Sequence, residues 1–109
     1  AAARAAAAVL AEDGNAIEAM VAAASAIAVV YPHMNGIGGD AFWLIHEPGK
    51  PPRAIDASGP AGAAVTADFY RGQQLDAIPA RGPLAANTVA GTVAGWDLAL
   101  AFSRDRHPV

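Results

Sequence analysis

From Ala16 to Tyr31 the chain carries one charged residue, Glu18. Ile17, Met20, Val21, Ala24, Ile27 and Ala28 recur at helical spacing. Ala22, Ala23, Ala26, Val29 and Val30 make the other side apolar too. Such a helix is expected to be buried on every side, which severely limits what the chain can fold into. The run is shorter than the ~20 residues that span a bilayer, so a buried helix is expected rather than a membrane span. Asn15 is placed to cap its start, with Glu18 completing a variant capping box. Ser25, in mid-helix, is expected to bond back to the preceding turn rather than act as a nucleophile. Pro32 ends the helix, because it lacks an N–H and clashes with the turn before it.

The helix runs into Asn35-Gly36-Ile37-Gly38-Gly39-Asp40, whose glycines suit either unusual backbone angles or a close approach to a neighbour. A phosphate cradle needs strand, glycines and then helix, so that helix N–H groups face the anion. The order here is helix, glycines, strand, and the spacing is not G-x-G-x-x-G. A tight helix-to-strand connection is expected instead. Ala41 to His46 is aromatic and branched, which favours a strand. Pro48-Gly49 and Pro51-Pro52 break it, and Arg53 to Ala57 follows as the partner of a hairpin. Upstream, Ala1 to Glu12 reads as a helix ended by Asp13-Gly14, with Gly14 suited to a left-handed residue. Downstream, Ser58 to Gly62 is loop, and Thr66 or Asp68 is placed to cap a short helix around Phe69-Tyr70. Gly91 and Gly95 suit close backbone packing, and a last helix is expected from Trp96 to Phe102. The 109 residues show no internal domain boundary.

About a quarter of the residues are alanine, well above ordinary usage. Small side chains bury little area, so the core is thin for an independent domain, and the chain reads as part of something larger. The start at Ala1, without methionine, fits that expectation. A net charge of −3 with no block of like charges gives no case for nucleic acid or an anionic membrane. The absence of cysteine excludes disulfides and thiolate metal sites. No signal-peptide pattern is legible. The compartment stays open, with the cytoplasm favoured over the periplasm.

Chemistry-bearing residues are scattered. His33, His46 and His107 do not pair at metal-ligand spacing, so no metal is expected. His33 is expected near the helix C-terminal carbonyls, and His46 exposed at a strand end. Glu18 is explained by capping, and Asp56 by a strand end. Asp40 is placed to accept N–H groups from its own loop. Ser58, Thr66, Thr88, Thr92 and Ser103 show no base partner. Ser58 stands out among them, because loop residues at strand ends are where binding groups collect. The residues alone support only part of an α/β-type enzyme.

Three stretches carry a resemblance. Glu12-Asp13-Gly14-Asn15-Ala16-Ile17-Glu18-Ala19 resembles the E-G-G-N-A-x-D-A opening of the γ-glutamyltransferase family. Pro32 to Phe42 is similar to its P-H-x-x-G-I-G-G-x-x-F stretch. Asn87 to Trp96 is similar to x-x-V-P-G-x-V-A-G-W, with Ala90 where proline is usual. The resemblance implies an α+β N-terminal-nucleophile hydrolase, an αββα sandwich of which residues 1–109 form only the first part of the large subunit. It also implies a precursor that cleaves itself, exposing a threonine whose own α-amine serves as base. That nucleophile would lie outside this chain, so no catalytic residue and no cofactor are expected here. The implied partners are the rest of the large subunit and the small subunit.

One departure bears on substrate. The family transferases carry an arginine just after the second strand, in an R-E-x-A-P pattern, that pairs with the α-carboxylate of the γ-glutamyl group. Here Ser58 stands at the arginine position and Gly59 at the glutamate position. Serine offers one neutral hydroxyl in place of a charged bidentate clamp. Ser58 and Gly59 are therefore the expected substrate-binding residues. The pattern points to the amidohydrolases and acylases of the superfamily, acting on small amides such as oxamate. The alternatives are a true γ-glutamyltransferase that clamps its substrate from elsewhere, with Arg81 as the candidate, and a non-catalytic scaffold.

Overall fold

The computed structural model describes residues 1–106; His107 lies outside them. Helix α1 (Ala2–Ala11) turns back into α2 (Ala16–Val30), and the two pack as a helical hairpin. Strands β1 (Ala41–Ile45) and β2 (Arg53–Ala57) follow as an antiparallel pair. The short helix α3 (Ala67–Gly72) and a 3₁₀ turn (Pro83–Ala85) lead to α4 (Thr92–Arg106). Helix α4 is the keystone, packing against both strands and against α2.

Local chemistry explains the boundaries. The Asn15 side chain accepts from the Ile17 and Glu18 N–H groups at 3.0 and 3.2 Å. The Asn15 N–H donates to Glu18 at 2.9 Å, completing the capping box. The Ser25 hydroxyl donates to the Val21 carbonyl at 2.8 Å, as a mid-helix serine should. Helix α2 ends at Val30, two residues before Pro32. Thr66 caps α3 through the Phe69 N–H at 3.2 Å. Two boundaries differ from expectation. Asp13, not Gly14, takes the left-handed conformation, with φ 63°. Gly14 serves proximity instead: a Cβ there would sit 2.5 Å from a Val9 methyl. Helix α4 starts at Thr92, four residues before Trp96, because Thr92 and Gly91 find an acceptor at the end of the glycine loop.

The register pairs Ala41 with Ala57, Trp43 with Ile55 and Ile45 with Arg53. These residues share the face packed on α4, where Gly95 meets Ala57 and Ala41, and Arg53 lies over the Phe102 ring at 4.9 Å. The other face carries Phe42 and Leu44, 72% and 78% exposed. Helix α2 is likewise not buried all round. Ala19 is its only buried residue, and Val29 is 77% exposed. Helices α1 and α4 cover only part of its circumference, and nothing in the described chain covers the rest.

Two global quantities agree with a thin core. The radius of gyration is 17.7 Å, where a compact domain of this length has about 13 Å. The accessible surface is 7748 Å², against about 5,600 Å² for a compact monomer of this mass. Among the described residues no helix is long and apolar enough to cross a membrane.

Candidate functional site

The glycine loop, the end of β2 and the start of α4 meet at one junction. Its hub is the Gly39 carbonyl. This oxygen accepts the Gly91 and Thr92 N–H groups at 3.0 Å each and the Thr92 hydroxyl at 2.8 Å. Thr92 is buried, so these bonds form away from water, where losing one leaves a costly unpaired group. The carbonyl thereby anchors the start of α4 to the end of the glycine loop.

Beyond β2 the chain stays extended beside residues 87–89. The Val89 N–H donates to the Pro60 carbonyl at 2.9 Å, and Ala61 bridges Thr88. Two glycines make this approach possible. A Cβ on Gly59 would lie 1.4 Å from the Val89 carbonyl oxygen, and one on Gly91 would lie 1.9 Å from that of Ala57. Any side chain at either position would have to move backbone.

Ser58 and Gly59, the expected substrate-binding pair, sit in this extension, and two carboxylates hold them. Asp56 accepts both the Ser58 N–H, at 2.9 Å, and the Ser58 hydroxyl, at 2.6 Å. The hydroxyl bond, and then the N–H bond, hold the Asp56 carboxyl below its ordinary value of 3.8. Asp40 accepts the Gly59 N–H at 2.9 Å. Asp40 thus serves a segment 19 residues away rather than its own loop. Neither carboxylate has a cationic partner among the described residues. Ser58 is exposed, and its only proton is committed to Asp56, so it faces outward as an acceptor.

The remaining candidates lie elsewhere. His33 is exposed, its ring centred 4.1 Å from that of Tyr31, the residue that closes α2. His46 is exposed just past β1, and Arg81 is exposed before the 3₁₀ turn. Ser103 is buried on α4, where its hydroxyl accepts from the Asn15 side chain at 2.7 Å and ties the capping box to α4. Among the described residues no three His, Cys, Asp or Glu side chains come together as a metal-holding set. Gly36, Gly38 and Gly39 adopt no left-handed φ, and nothing lies within 4 Å of a Cβ placed on Gly38 or Gly39. Neither reason expected for these two glycines operates within the described chain. Asp40 was expected as an N–H acceptor but with its own loop as partner, and the Val89 carbonyl was missed; Gly59 and Gly91 were the only signal that a backbone passes nearby.

The profile of the γ-glutamyltranspeptidase family matches residues 2–103. This chain belongs to that family. The oxamate amidohydrolase proenzyme of Klebsiella pneumoniae is 66% identical over 98 residues, covering 90% of this chain and 18% of that protein. The glutathione hydrolase-like YwrD proenzyme of Bacillus subtilis is 47% identical over 93 residues, covering 84% and 17%. The γ-glutamyltranspeptidase of Helicobacter pylori superposes with a TM-score of 0.79 at 36% identity, covering 93% of this chain and 30% of that one. The chain therefore spans under a fifth of the length of these two curated relatives. Its helices and hairpin are a piece of the N-terminal-nucleophile hydrolase fold. The three family stretches are the segments that build the capping box, the Gly39 hub and the α4 start.

Proposed function

We propose that this chain is the opening part of the large subunit of a self-processing amidohydrolase, and that the full enzyme hydrolyses a small acyl amide. The nucleophile is a threonine freed by self-cleavage, outside these residues. Its α-amine takes the hydroxyl proton, its oxygen attacks the amide carbon, and the amine leaves with a proton. Water then hydrolyses the acyl-enzyme. The partners are the rest of the large subunit and the small subunit that carries the threonine. This chain contributes scaffold and one wall of the acyl pocket, at Ser58 and Gly59.

The single observation that carries this reading is Ser58 at the position where family transferases hold an arginine. The loop offers one neutral, exposed hydroxyl where a guanidinium would clamp the α-carboxylate of a γ-glutamyl group from two sides. The 66% identity to an oxamate amidohydrolase proenzyme supports the same choice. The decisive experiment supplies the full-length, self-processed protein with a γ-glutamyl anilide and a panel of short amides including oxamate. Ammonia release from a short amide at a kcat/KM at least about tenfold above that for the anilide is expected, a margin set by one lost charged clamp. Efficient γ-glutamyl transfer without amide hydrolysis rejects the reading.

The second reading is a γ-glutamyltransferase or glutathione hydrolase, supported by the family profile and the glutathione hydrolase-like relative. It requires another cation to hold the α-carboxylate. Arg81→Ala would then raise KM for the anilide about tenfold or more. An unchanged KM removes Arg81 from that role.

A further inference from the structure

We infer that Asp40 is a positioning residue for the acyl-pocket loop, acting through the Gly59 N–H. The inference rests on the proposal that Ser58 and Gly59 line that pocket. Ala41 pairs with Ala57 in the hairpin ladder, so one further step would set Asp40 against Ser58, and a second would set Gly39 against Gly59. The ladder stops there, because the Gly39 carbonyl is turned to Gly91 and Thr92 at the start of α4. That diversion leaves the Gly59 N–H without a main-chain acceptor. The Asp40 carboxylate takes the vacant place at 2.9 Å.

The consequence falls on Ser58. Its own N–H is held by Asp56 and the next N–H along the chain by Asp40, so the peptide planes on both sides of Ser58 are fixed. The Gly59 Cα is seated against the Val89 carbonyl, which leaves the loop no room to move toward residues 87–89. Asp40 is exposed and makes no ion pair among the described residues. Its requirement is therefore for an acceptor at one place, which a neutral amide oxygen also satisfies. This separates a positioning role from a role for the charge.

The test uses the full-length, self-processed enzyme with Asp40→Ala and Asp40→Asn. Exchange of the Gly59 amide is read by hydrogen–deuterium exchange, and KM and kcat are read on whichever amide the wild type turns over best. In the alanine variant, Gly59 exchange should quicken about tenfold and KM rise about tenfold, with kcat within about twofold, the signature of lost uniform binding. The asparagine variant should match wild type in both within about twofold, since its amide oxygen still accepts. Unchanged Gly59 exchange in the alanine variant overturns the inference. Faster exchange with unchanged KM shows a clamp that does not serve the acyl pocket, and overturns it while pointing to a failure of the pocket reading. If the alanine variant does not mature, the asparagine variant decides: wild-type exchange and KM uphold the inference, and loss of either rejects it.

Discussion

The strand-end junction and the outer apolar faces are built on opposite plans. At the junction, Gly59 and Gly91 bring backbones into contact, the Gly39 carbonyl takes the Gly91 and Thr92 donors, and the Gly59 N–H has Asp40 as its partner. Along Phe42, Leu44, Val29 and Val30, large side chains stand open to solvent. An open groove of about 480 Å³ between α2, β1 and α4 is walled by Met20, Phe42, Leu44 and Phe102. Exposed apolar surface on this scale marks an interaction face. The junction's donors are partnered within the described residues, whereas these apolar faces are left uncovered by them.

The sharpest way to break this contrast is at the glycines. Gly59→Ala would place a methyl on the Val89 carbonyl and should cost about 3 kcal/mol or more in the full-length protein, beyond the usual overpacking penalty. Gly38→Ala, with open space around it, should stay within about 0.5 kcal/mol if that space remains open in the whole enzyme. Denaturant unfolding measures both. A large loss at Gly38 would place another part of the protein against it and redraw the boundary between the two regions.

The outer face comes next. Phe42→Asp should cost about 2–3 kcal/mol in the full-length protein, the worth of burying one large apolar side chain. A change near zero would mean that this face stays wet in the finished enzyme. A smaller effect tests the tie between the capping box and α4. Ser103→Ala leaves the Asn15 side-chain N–H unpaired beside a buried position and should cost about 1–2 kcal/mol. A neutral result would show that water or another group takes the place of Ser103.

The smallest effect concerns acid. Asp56 is held below 3.8 by Ser58, so its contribution is fully present above that value and fades as pH falls through the lower, folded one. In Ser58→Ala the carboxyl should titrate closer to 3.8, since the larger of the two bonds is gone. Carboxyl-carbon NMR of the labelled aspartates reads this directly. No change in Asp56 would mean that the hydroxyl bond does not form in solution.

Features read correctly from the sequence were those decided by neighbours in the chain. The Asn15–Glu18 box, the Ser25 back-bond, the Thr66 cap and the Pro32 stop each need at most four residues of context. Strand pairing was legible too, because Pro48-Gly49 and Pro51-Pro52 leave little room for anything but a hairpin. The misses depend on what meets across the fold. Asp40 reaches Gly59 only because Gly39 is diverted to α4, and Asn15 meets Ser103 across 88 positions. The start of α4 was placed late because Thr-Val-Ala-Gly has weak helix propensity on its own. Its first turn is held by a carbonyl 53 residues away. An apolar helix was expected to be covered on all sides, but that cover is not supplied by the described chain.

The central claim is that Ser58 sets the acyl preference. The direct measurement is the ratio of kcat/KM for a short amide to that for a γ-glutamyl anilide, in the self-processed wild type and in Ser58→Arg. The ratio should favour the short amide in the wild type and shift about tenfold or more toward the anilide when the bidentate cation is restored. An unchanged ratio in the arginine variant would contradict it.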